Sequence, residues 1–145
     1  MSDRKPPDPR QWAEAARWLA RADEDLGAAE ALVGLSPPII GPAAFHCQQA
    51  AEKMAKAALI ALSEPPPRSH DIEALGRRLL PLDRDLGDAF LALGGLGSWY
   101  MVTRYPDAGL ASQPNTAEVR QSIGQLQQLR TAVEGIGGLS ARGKK

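Results

Sequence analysis

Apolar and small residues recur along most of this chain at alternating steps of three and four, the period of one face of an α-helix. From about Arg10 to Val33 they are Trp12, Ala15, Leu19, Ala22, Leu26, Ala29 and Val33. Gly34 and the prolines of "GLSPPIIGP" end the run, since proline cannot continue a helix. A second helix is expected from near Pro42, striped by Ala44, Cys47, Ala51, Met54 or Ala55, Ala58 and Leu62. Side chains that small let another helix come close. "SEPPPR" at Ser63–Arg68 is a break. Ser69 is placed to cap a short third helix, with Asp71 and Glu73 near its positive end, and that helix stops by Leu80–Pro81. A fourth is expected from about Asp83 to Val102, with Leu86, Phe90, Leu93, Leu96 and Tyr100 on one side. Gly94, Gly95 and Gly97 weaken it by about 1 kcal/mol each relative to alanine if exposed. "RYPDAGLASQPN" reads as a loop. Asn115 or Thr116 then caps a fifth helix, striped by Val119, Ile123, Leu126, Leu129, Val133 and Ile136.

No stretch alternates as a strand does. The pattern predicts an all-α fold, an antiparallel up-and-down bundle of four long helices plus one short helix. Residues 1–9, Pro-rich and charged, read as a flexible arm. Residues 10–137 read as one helical domain, and residues 138–145 as a flexible basic tail.

The chain of 145 residues can bury one core without metal or crosslinks. Lys and Arg number 17, Asp and Glu 17, so the formal charge is zero. That balance argues against a protein that coats nucleic acid by electrostatics alone, and leaves room for a small basic pocket. The single cysteine, Cys47, excludes an internal disulfide and fits a reducing compartment. "MSDRKPPDPR" lacks the apolar centre of a signal peptide, and no apolar run approaches the roughly 20 residues needed to cross a bilayer. A cytoplasmic protein with no membrane partner is the expectation.

Phe45, Gln49, Glu52 and Lys56 stand one above another on the second helix, flanked by Gln48 and Lys53. Glu52 precedes Lys56 by four, the favourable order for an ion pair. One reading is a solvated helix edge, stabilised by a few tenths of a kcal/mol. The other is a polar strip at a groove, where amides and ammonium groups meet a base or phosphate. His70, at the start of the short helix beside Asp71, is either a capping or packing residue or a proton donor near neutral pH. His46 reads as a partly exposed surface residue. Arg104 can bond the last carbonyls of its own helix or present a planar fork to a phosphate. Tyr105 can stack on a base or cover the bundle end. There is no phosphate-binding loop of the Walker type, and "LGGLGSW" lacks the preceding strand of a dinucleotide site. Two histidines and one cysteine without ligand spacing give no metal site, and no cofactor is expected. Cys47 and His46, adjacent on a helix, point about 100° apart and so form no catalytic pair.

Four segments in order, "ADEDLGAAEAL", "FHCQQAAEKMAKAAL", "SHDIEAL" and "TRYPD", resemble the HEPN family, the nucleotide-binding domains of higher eukaryotes and prokaryotes. The likeness extends over roughly Ala16–Val133. It implies a four- to five-helix bundle that pairs as a homodimer. It also implies a nucleotide or RNA-phosphate ligand, and a nucleotidyltransferase partner in a two-component, toxin–antitoxin-like module. The ligand-binding residues it points to are Gln48, Gln49, Glu52, Lys53, Lys56, His70, Asp71, Arg104 and Tyr105. RNA-cutting members resemble one another through an arginine followed, after four to six residues, by a histidine. No such pair exists here. The sequence thus favours a binding module over an enzyme. The alternatives are a metal-independent ribonuclease using His70 and Arg104 as catalytic residues, and a non-catalytic interaction scaffold.

Overall fold

A computed structural model describes residues 5–93, 95, 96, 99 and 114–143, with 139–143 as backbone only. Among them are five helices and no strand: α1 Pro9–Val33, α2 Ile40–Ala61, α3 Ile72–Leu79, α4 Arg84–Leu91 and α5 Thr116–Gly143. Helix α1 starts where a capping box satisfies its first amides. Asp8 Oδ1 accepts from the Gln11 amide at 2.9 Å, and the Asp8 amide donates back to Gln11 Oε1 at 3.4 Å. Pro9 opens the helix, where its missing N–H is no loss. The expected stripe of α1 is buried from Ala15 to Val33, with Trp12 half-buried at its start.

Helix α2 begins ahead of Pro42, which falls in its first turn. It is the central element. Residues Ala43, Ala44, Cys47, Ala50, Ala51, Met54, Ala55, Ala57 and Ala58 are fully buried, because α1, α3 and α5 all pack on it. The alanines keep those helices close. Burial pushes the Cys47 thiol up to about 12, so it stays protonated and inert. Helix α2 closes with Ser63 in the left-handed region at φ 68°.

Two expectations are corrected at the short helices. Asp71, not Ser69, caps α3: its Oδ1 accepts from the Glu73 amide at 3.0 Å, while Ser69 Oγ accepts from the Asp71 amide at 3.0 Å. The carboxylate is the stronger acceptor, and His70 consequently precedes the helix instead of lying in its first turn. Helix α4 is 8 residues long, not a run from Asp83 to Val102. Its end tightens, with the Leu93 amide donating to Phe90 O at 3.2 Å, just ahead of Gly94 and Gly95 where helix propensity is lowest. Leu93, Leu96 and Trp99 are nonetheless buried. The described bundle has three long helices, of 25, 22 and 28 residues, and two short ones of 8. Helix α5, capped by Asn115 through the Glu118 amide at 2.8 Å, continues well past Gly137.

Side-chain bonds set the directions. Gln11, at the start of α1, donates to the carbonyl of Ile60 near the end of α2 at 2.7 Å, so α1 and α2 are antiparallel. Arg130 pairs with Asp23 at 2.8 and 2.9 Å and Arg120 reaches Val33 O at 3.3 Å, so α5 also runs against α1. The bond to Asp23 raises the pKa of the Arg130 guanidinium further. Glycine makes two contacts possible. A Cβ on Gly87 would stand 2.8 Å from the Leu80 backbone, where α3 meets α4, and one on Gly137 would enter the Trp12 ring.

Candidate functional site

The polar side chains gather where α1, α2 and the segment before α3 meet. Glu52 lies on α2 with its side chain 6% exposed. Its Oε2 accepts from Lys56 Nζ at 3.1 Å, and its Oε1 faces His70 Nδ1 at 3.0 Å. A carboxylate that buried is held by those partners, since an unpaired charge there would be strongly destabilising. Lys56 also stands 5.4 Å from the centroid of the Trp18 ring on α1, within cation–π reach. Fully buried Gln48 reaches the His70 carbonyl at 3.4 Å and accepts from Gln49 Nε2 at 2.8 Å. The amides thus tie the His70 segment to α2.

A second cluster was not expected from the sequence. Asp25 on α1 is buried and accepts from Lys53 through one oxygen. Its other oxygen faces His46 Nδ1 at 2.8 Å. His46 also meets Phe45 edge to face, with ring centroids 5.5 Å apart. A signal for Asp25 exists in the sequence: it sits between Ala22 and Ala29 on the buried stripe of α1, and an acid at such a position requires partners.

Beside Lys53 an open groove of about 360 Å³ runs along the α1–α2 seam, lined by Arg17, Trp18, Arg21 and Lys53. The α1 residues of this groove were also missed, because they lie on the polar side of the stripe and read as ordinary surface. Of the residues expected at the site, Gln48, Gln49, Glu52, Lys53, Lys56 and His70 come together on one face. Asp71 is exposed and serves as the α3 cap. Arg104 and Tyr105 lie outside the described residues. Among the described residues no three His, Cys, Asp or Glu side chains could hold a metal, and no helix is long and apolar enough to cross a membrane.

The family model of the HEPN domain matches residues 15–136. The chain belongs to the HEPN domain family. Among solved structures, the crystal structure of TT1696 from Thermus thermophilus is similar, with 30% identity, a TM-score of 0.66, and coverage of 84% of this chain and 97% of that one. No curated protein matches. Family membership identifies a nucleotide-binding or RNA-related helical module, and charge separates two concave surfaces of this HEPN bundle. The larger, about 520 Å³ between α4 and α5, has an apolar floor of Leu86, Ala89, Leu129 and Ile136, with Asp83 and Asp85 at its rim. Those carboxylates repel a phosphate. The smaller one carries two arginines and a lysine.

Proposed function

We propose that this HEPN protein binds a nucleotide or RNA phosphate at the face where α1, α2 and the His70 segment meet. We further propose that it does so as a dimer, working with a nucleotidyltransferase-type partner in a two-component, toxin–antitoxin-like system. One observation carries the ligand reading. Both buried carboxylates of the face are already matched by lysine, while Arg17 and Arg21 beside them have no carboxylate bonded to them among the described residues. The face therefore retains positive charge on a chain whose total is zero. Gln49 and His70 add further hydrogen-bonding groups for a base or sugar.

Titration of isotope-labelled protein with ATP, GTP and a short single-stranded RNA at millimolar concentration tests this. Shifts are expected at the Gln48 and Gln49 side-chain amides and at the Trp18 indole N–H. Silence with all three ligands would end the ligand reading. The partner and dimer are tested separately, by purification with native partners followed by mass spectrometry, and by sedimentation. A monomer that retains no nucleotidyltransferase would remove that half of the proposal.

A further inference from the structure

We infer that the groove lined by Arg17, Trp18, Arg21 and Lys53 is the seat of a nucleoside polyphosphate, with its phosphates on the two arginines and its base against the Trp18 indole. The inference rests on the ligand reading above and places the phosphates and base on Arg17, Trp18 and Arg21 of α1, residues to which the family resemblance does not point.

Arg17 and Arg21 are one helical turn apart, and like charges so spaced repel by a few tenths of a kcal/mol. Arg77, Arg78 and Arg130 each bond a carboxylate, Arg10, Arg68 and Arg84 bond none among the described residues, and what distinguishes Arg17 and Arg21 is that both line one groove. Arg17 and Arg21 bond none among the described residues, although Glu14 and Glu24 are close on the same helix. Two arginines lining one groove can supply paired guanidinium forks to the contiguous oxygens of a di- or triphosphate. Lys53 lines the same groove, but its charge is balanced by Asp25. The excess at the seam is therefore that of the two arginines.

Trp18 supplies the second half of the ligand. It is half-buried against the core, with Lys56 Nζ 5.4 Å from its ring centroid, and so offers an aromatic surface beside the two arginines. Base–aromatic stacking on such a ring tolerates any base. The groove, about 360 Å³, falls in the range of small-molecule sites. Along α1 the positive rung is bounded by Glu14 and Glu24, about 15 Å apart at 1.5 Å per residue. A run that short serves one set of adjoining phosphates. An RNA strand, with its phosphates spread over several nucleotides, would meet the flanking carboxylates.

The test is calorimetric titration of the full chain with ATP, ADP, AMP, adenosine, inorganic tripolyphosphate and a twelve-nucleotide single-stranded RNA. Affinity is expected to fall from ATP to AMP, with adenosine weakest. Arg17→Ala with Arg21→Ala should weaken ATP at least tenfold, the loss expected for charge-assisted bonds, while leaving the melting temperature unchanged because both side chains are exposed. Trp18→Leu should weaken ATP and spare tripolyphosphate. Trp18→Phe, which keeps an aromatic ring, should retain most of the ATP affinity and guards against a folding defect. Should the wild type bind neither nucleotide nor RNA, the ligand reading fails and this seat with it. Should ATP bind equally to the double arginine variant while Gln49→Ala or His70→Ala abolishes binding, the seat alone is wrong. RNA binding more than tenfold tighter than ATP, lost in the double variant, would replace the mononucleotide with a strand.

Discussion

Asp25 and Glu52 each hold one lysine and one histidine, yet the two clusters are constructed differently. Glu52 takes Lys56 from its own helix, four residues on, and His70 from the segment before α3. Asp25 takes both partners, His46 and Lys53, from the neighbouring helix. The Glu52 pair is the drier, with side chains 6% and 10% exposed, against 11% for Asp25 and 25% for Lys53. The same three kinds of group therefore carry different energetic weight. In the drier Glu52–Lys56 pair the desolvation of each charge is large, and the loss of one partner exposes nearly all of it, although His70 beside it is 69% exposed against 31% for His46. In the wetter one, water takes up part of the difference.

Cys47, on the same helix as both clusters' α2 members, provides the largest contrast. With its pKa pushed up to about 12 from an ordinary 9.0, the native thiol at pH 8 should be labelled about a thousandfold more slowly than in the unfolded chain. Glu52→Ala should accelerate that labelling more than Asp25→Ala does; the reverse order would overturn the ranking. In urea unfolding, Glu52→Ala should cost about 3 kcal/mol or more, since Lys56 is left buried and unpaired. Replacing both members, with Glu52→Leu and Lys56→Met, should recover most of that loss. Asp25→Ala should cost about 1–2 kcal/mol, because Lys53 can turn to solvent. Removing both Arg17 and Arg21 should change stability by less than about 0.5 kcal/mol. A large loss there would mean that the two arginines hold the fold together and are not held in reserve for a ligand.

Burial patterns explain what was legible. The stripes of α1, α2 and α5 repeat over many turns, and each lies inside the bundle as its period requires. Periodicity overextends α4 because buried Leu93 and Leu96 continue its apolar face although the helix itself ends at Leu91. Period reports burial, not helix continuity. At the site, Glu52 and Lys56 were readable because both lie on one helix at a favourable spacing. Asp25 with His46, and the Arg17–Trp18–Arg21 rung with Lys53, depend on how α1 is rotated against α2. That rotation is decided by the packing of alanines, which linear spacing does not encode.

Gln11 has a consequence for the way the first two helices are joined. Its side-chain amide donates to the carbonyls of Ile60 and Ala61 at 2.7 and 3.3 Å and to Ser63 Oγ at 2.8 Å. At the other end the covalent chain makes the turn from Gly34 to Ile39. The hairpin is thus a closed ring, latched at one end by hydrogen bonds and hinged at the other by peptide. A chain opened at exposed Pro38 would keep, besides the buried faces of the two helices, this latch as a polar tie between them.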